Sequence, residues 1–134
     1  MTEYATPTVE RSPVMDPVIY WRISAFALAA VALLGIVLTA TSNGDLFGGF
    51  LTFDMPHNLL HVVLALAAFA FAFAPLPGIV VRRGALAFGV VYGLLGILGF
   101  VLADVGPIHL ELGENLIHLV LGAWGLVAGL GGKP

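Results

Sequence analysis

A chain of 134 residues that is 60% hydrophobic and only 10% charged, with a mean hydropathy of +1.05, has too little polar surface to coat a water-soluble domain. Having no cysteine, it carries no disulfide, zinc–thiolate or iron–sulfur site. Its net charge is −3 and its five basic residues form no patch, so nucleic acid is excluded as a partner.

Met1–Pro17 is polar and Pro-containing, without the basic-then-apolar order of a secretory signal, and reads as a flexible or surface-lying tail (residues 1–17). Four apolar blocks follow, at about Ile19–Ala40, His57–Ala74, Ala85–Ala103 and Asn115–Leu130. Each is long enough to cross roughly 25–30 Å of hydrocarbon as an α-helix, the last only just. The linkers carry the turn residues. Thr41–Pro56 holds Asn-Gly and Gly-Gly, Pro75-Leu76-Pro77-Gly78 forms a tight turn, and Asp104–Gly113 holds Gly106, Pro107 and Gly113. The fold expected is all-α: an integral membrane four-helix bundle over residues 18–131.

Basic residues set the orientation, because cytoplasmic loops retain Lys and Arg. Arg11 and Arg22 lie at the start of the first span, Arg82 and Arg83 between the second and third, and Lys133 after the fourth. The other two linkers have no base and carry Asp45, Asp54, Asp104, Glu111 and Glu114. Both termini are therefore expected in the cytoplasm of a multi-pass cell-membrane protein.

The second and fourth spans repeat one another. Asn58-Leu59-Leu60-His61 matches Asn115-Leu116-Ile117-His118, and Leu33-Leu34-Gly35-Ile36 matches Leu94-Leu95-Gly96-Ile97. The chain reads as two tandem two-helix repeats, about 18–76 and about 82–131, related by a pseudo-two-fold along the membrane normal. The paired Asn-Leu-Leu-His and Asn-Leu-Ile-His helices, each following a Gly-rich apolar helix, resemble the prokaryotic four-helix membrane family called domain of unknown function 4383. That resemblance covers roughly Val18–Leu130 and implies a cell-membrane location and this fold, with no established activity. His57 precedes the first motif and Glu114 the second, so the halves differ chemically.

Ionisable groups within a span mark a function or a buried partner. Steps of four, seven and eleven residues from His118 reach Gly122, Gly125 and Gly129; from His61 they reach Ala65, Ala68 and Ala72. Small-residue stripes are where membrane helices approach each other, so both histidines should point into the bundle. Gly89, Gly93 and Gly96 form a third stripe. The favoured reading is a structural polar layer of Asn58, His61, Asn115 and His118, each imidazole bonding to an Asn or a linker carbonyl. Two alternatives use the same residues. His61 and His118 suit haem ligation from both sides, and His57, His61, His118 and Glu114 suit a divalent metal such as zinc or copper.

The remaining polar and aromatic residues read as structural. Asp54 with Pro56, and Glu111 with Glu114, look like helix N-terminus signals. Tyr20 and Trp21 look like a cytoplasmic interface anchor, Arg22 snorkelling beside them. Tyr92 and Trp124 read as mid-membrane core residues needing one polar partner each. Phe47, Phe50 and Phe53 suit a re-entrant or interfacial segment. No nucleophile is paired with a base, so no enzyme is expected. The first function class is a structural or accessory subunit, packing against lipid and against its own copies or a larger membrane complex. A haem- or metal-binding protein is the second, and an oligomeric small-solute or proton transporter the third.

Overall fold

The computed structural model describes residues 12–102, 104–106 and 108–131. Most of the N-terminal tail, with Arg11, lies outside the described residues, as does Lys133. After one 3-10 turn at Pro13–Met15, Asp16 caps the first helix by accepting from the Val18 and Ile19 N–H groups at 2.7 and 3.3 Å. Pro17, whose missing N–H is no loss at this position, starts α1, Pro17–Ser42. It ends where Asn43 turns left-handed (φ 56°), its N–H closing on the Leu38 carbonyl.

α2, Met55–Phe73, is capped by Asp54, whose Oδ1 accepts from the His57 N–H at 2.7 Å; Pro56 sits in the first turn. α3 spans Gly78–Leu98 and α4 Leu112–Gly131. At the start of α4 the Glu114 side chain reaches back to the Glu111 N–H at 3.2 Å, one half of a capping box. The sequence expectation for Asp54 and Glu114 as helix-start residues therefore holds.

The four helices have 26, 19, 21 and 20 residues, and each is long and apolar enough to cross a membrane. More than half of each apolar stretch faces outward. Leu33, Val63, Leu66, Val120 and Leu130 are all over 60% exposed, far more contiguous apolar surface than a water-soluble monomer presents.

Both linkers at the His-bearing end fold into short antiparallel hairpins. β1 (Asp45–Leu46) pairs with β2 (Leu51–Thr52), and β3 (Asp104–Val105) with β4 (Ile108–His109). The Phe47–Phe53 segment forms the turn and second strand side of the first hairpin. Phe47, Gly48 and Gly49 turn at positive φ, Phe47 points outward at 78% exposure, and Phe53 is buried against α1.

α1 packs mainly along α2, and α3 along α4. Ala65, Ala68 and Ala72 are buried on α2, and Gly122, Gly125 and Gly129 on α4, as the stripes require. A Cβ on Gly122 would meet the Gly93 backbone nitrogen at 2.5 Å, and one on Gly89 the Leu126 nitrogen at 2.6 Å. Only glycine permits that approach. Gly93 belongs to the seam through its backbone alone, since its own Cβ direction opens into free space.

Three expectations need correction. α3 begins at Gly78, seven residues before Ala85, because Pro77 supplies the capping carbonyl to Val80 and Val81. Arg82 and Arg83 thus stand on the second helical turn rather than in a linker. Tyr20 and Trp21 are not surface anchors but core residues, 0% and 1% exposed. Trp21 stacks on Phe71 at 4.5 Å and donates its indole N–H to the Val81 carbonyl at 3.0 Å, which satisfies its one polar atom. Arg22 alone stays outside, 5.6 Å over the Phe73 ring. Trp124 is tied by its indole N–H to the Val14 carbonyl at 2.9 Å, which places it at the end of the bundle where the chain enters rather than at mid-depth.

Candidate metal centre

The start of α2 carries His57 and His61 one turn apart on one face, and the start of α4 carries Glu114 and His118 likewise. Each cap fixes the rotation of its helix, so the four side chains turn toward the bundle axis together. All are buried: His57 is 3%, His61 7%, His118 4% and Glu114 6% exposed.

One nitrogen from each of the three imidazoles lies within 4.8 Å of the other two. The His57 and His61 ring centroids are 4.5 Å apart and those of His57 and His118 6.3 Å. In every one of these rings Nδ1 is buried without a hydrogen-bond partner. Glu114 Oε1 lies 3.4 Å from His57 Nδ1, close enough for an electrostatic pairing but without hydrogen-bond alignment.

The structural layer read from sequence required His61 and His118 to bond to Asn58, Asn115 or an outer-linker carbonyl. Their Nδ1 atoms have no such bond, and Asn58 gives its amide to Thr39 Oγ1 instead, at 3.0 Å. Each asparagine has a steric role. Asn58 Oδ1 occupies the position a Cβ on Gly35 would take, and Asn115 Oδ1 the same position at Gly99. The glycine that seats the Asn115 side chain is thus Gly99, the C-cap of α3, three residues beyond the Gly96 that sequence alignment pairs with Gly35.

The donor set fits an ion better than haem. A third nitrogen within 4.8 Å of both His61 and His118 lies where a flat macrocycle between them would have to pass. A point equidistant from three corners of a 4.8 Å triangle is about 2.8 Å from each. Closing on zinc at about 2.0–2.1 Å needs each ring to advance only about 0.7 Å, within the reach of small χ adjustments. Three imidazoles and one carboxylate are a familiar set for zinc or another late first-row ion.

Of the other sequence candidates, His109 stands apart from the cluster. It is half exposed on β4, bridging Asp104 Oδ1 at 2.5 Å and Glu111 Oε1 at 3.2 Å. The hydrogen bond that its ring N–H donates to Asp104, reinforced by the charges of Asp104, Glu111 and Glu114, raises its pKa above the ordinary imidazole value. Tyr92 joins the site without having been assigned to it. Its ring meets His118 edge-on at 5.1 Å and stacks on Phe88 at 4.2 Å. The signal was its spacing: three residues after Gly89 and four before Gly96, it shares the inward stripe of α3. No family model, curated protein or solved structure matches this chain.

Proposed function

We propose that this chain is a multi-pass cell-membrane protein that holds a transition-metal ion, with zinc as the reference case, on His57, His61 and His118, Glu114 providing the fourth ligand. The observation that carries the reading is the set of three orphaned Nδ1 atoms. A buried polar atom left unpaired costs about 1–3 kcal/mol, and three imidazoles that each carry one, with a ring nitrogen of each within 4.8 Å of the other two, call for a shared partner. The structural accessory reading has no comparable use for them.

The topology proposed is N-in and C-in. Arg22, Arg82 and Arg83 lie toward one end of the bundle, while Asp45, Asp54, Asp104, Glu111 and Glu114 lie toward the hairpin end, so the metal site faces outward. The tandem repeat is part of the same proposal. It is supported by the capped Asn-x-x-His start of α2 and of α4, the hairpin before each, and the glycine seat of each asparagine.

The test is metal content and Co²⁺ titration of the purified protein in nanodiscs. One ion per chain is expected, with the visible bands of a four-coordinate site, and His118→Ala should weaken binding at least about tenfold. Equal metal uptake by a variant lacking all three histidines would overturn the proposal, and so would a wild-type protein that binds no ion at millimolar metal. The second outcome would return the histidines to a structural layer.

A further inference from the structure

Because α1 packs along α2 and α3 along α4, the seam between α2 and α3, where the two helix pairs meet, is left open. A groove of about 350 Å³ with a wholly apolar surface runs along it. It extends from Phe71 and Gly84, near the end of the bundle that bears the arginines, to Leu60 and Leu95 toward the hairpin end, and Trp21 of α1 contributes to its wall. Arg83 stands at the near end, one residue before Gly84 and one turn before Ala87, which lines the groove on the same helix face.

We infer that this groove holds one acyl chain of an anionic phospholipid from the leaflet on the arginine side, its phosphate paired with Arg83. Dimensions select a single chain. From Gly84 to Leu95 the helix rises about 16 Å, half of a hydrocarbon core roughly 30 Å thick and so one leaflet deep. Spread over that length, the volume gives a cross-section of about 22 Å², against roughly 80 Å² for a helix about 10 Å across. A lipid chain enters where a helix of a second copy would only rest on the rim. Charge selects the headgroup. Among the described residues this end carries Arg22, Arg82 and Arg83 against the one carboxylate of Asp16, which is already capping α1. Arg82 has a partner of its own, whereas Arg83 is exposed and makes no hydrogen bond or ion pair among the described residues. The adjoining start of α3 has no side-chain cap, so its first N–H groups add partial positive charge. A zwitterionic lipid brings its own cation to the phosphate, so Arg83 favours a lipid of net negative charge. Apolar contact is nearly neutral against bulk lipid, and preference among lipids therefore resides in the headgroup. The inference needs neither the metal nor any of its ligands.

The experiment uses Trp124→Phe protein, in which Trp21 is the one remaining tryptophan, in mixed bilayers of phosphatidylcholine and phosphatidylglycerol. One lipid at a time is brominated on an acyl chain, so that bromine in the groove quenches Trp21 fluorescence. Phosphatidylglycerol should quench with an apparent affinity about fivefold above that of phosphatidylcholine, the effect of one arginine at an anionic surface. Arg83→Gln should bring the two lipids level. Ala87→Phe, which fills the groove from an exposed position, should remove most of the quenching by either lipid, whereas Val120→Phe on the exposed flank of α4 should leave it unchanged. Ala67→Phe serves as a second filling variant should Ala87→Phe fail to fold. Equal affinities before any change at Arg83, an undiminished preference in Arg83→Gln, or undiminished quenching in a folded filling variant would overturn the inference. Quenching that disappears as protein density rises would overturn it too, by showing a second copy on this face.

Discussion

Replacing Gly122 with alanine tests the seam on which the site depends. The added Cβ would sit 2.5 Å from the Gly93 nitrogen and 2.7 Å from its Cα. Carbon contacts settle at about 3.5–4.0 Å, so the helices must part locally by about 1 Å. Overpacking of this kind costs about 1–3 kcal/mol, and the upper half applies because the obstacle is backbone and cannot rotate away. Alanine returns up to about 1 kcal/mol of helix propensity, leaving a net loss of about 1–2 kcal/mol, or roughly 5–30-fold in the folded ratio. Gly93→Ala provides the control: the same propensity gain, with nothing in the way of its Cβ. The two variants should therefore differ by about 2–3 kcal/mol in SDS titrations of mixed micelles followed by far-UV circular dichroism. His118 lies one turn before Gly122, so the parting also moves its ring, and metal binding should weaken in Gly122→Ala alone. A Gly122→Ala protein as stable as wild type, or a Gly93→Ala protein less stable than Gly122→Ala, would refute the packing argument.

Two further outcomes are expected. The raised pKa of His109 in the folded state means that its pairing with Asp104 and Glu111 contributes fully below the ordinary imidazole pKa and is lost as pH rises through the raised value. The site is half exposed and screened, so the effect is small; an NMR titration should nonetheless show a lower His109 midpoint in Asp104→Asn, and an unchanged midpoint would dismiss the pairing. Reporter fusions at residue 134 and within residues 44–53 should report opposite sides of the membrane, and agreement between them would exclude four crossings.

The spans were legible because twenty apolar residues in a row have few other uses, and their inward faces because Gly and Ala recur at helical spacing. Asp54 and Glu114 could be assigned as helix starts for the same local reason, since a cap acts within one turn. What the sequence hid was everything fixed across helices. Trp21 beside Arg22 resembles an interface anchor until the Val81 carbonyl of another helix takes its N–H. Gly35 pairs with Gly96 in a one-dimensional alignment, yet the asparagine of α4 presses on Gly99. His57, by contrast, could be read from the sequence as a metal candidate, and its ring is the third member of the cluster. Its position one turn before His61 was the available clue, because two imidazoles at i and i+4 share a face.

The placement of that cluster follows from the termini of two helices. α2 and α4 both begin beside it, and their partial positive ends oppose a cation there. Three neutral imidazoles would leave a divalent ion with its full charge against those dipoles. Glu114 is the one acidic side chain of the first turns of α2 and α4, and it is buried within reach of His57. Its capping bond to the Glu111 N–H holds one oxygen and leaves Oε1 directed toward the rings. In the metal site proposed above, the carboxylate that completes the start of α4 would therefore also be the charge that makes a cation tenable at this end of the bundle, and α2, with His57 in the corresponding place, would supply a neutral donor instead.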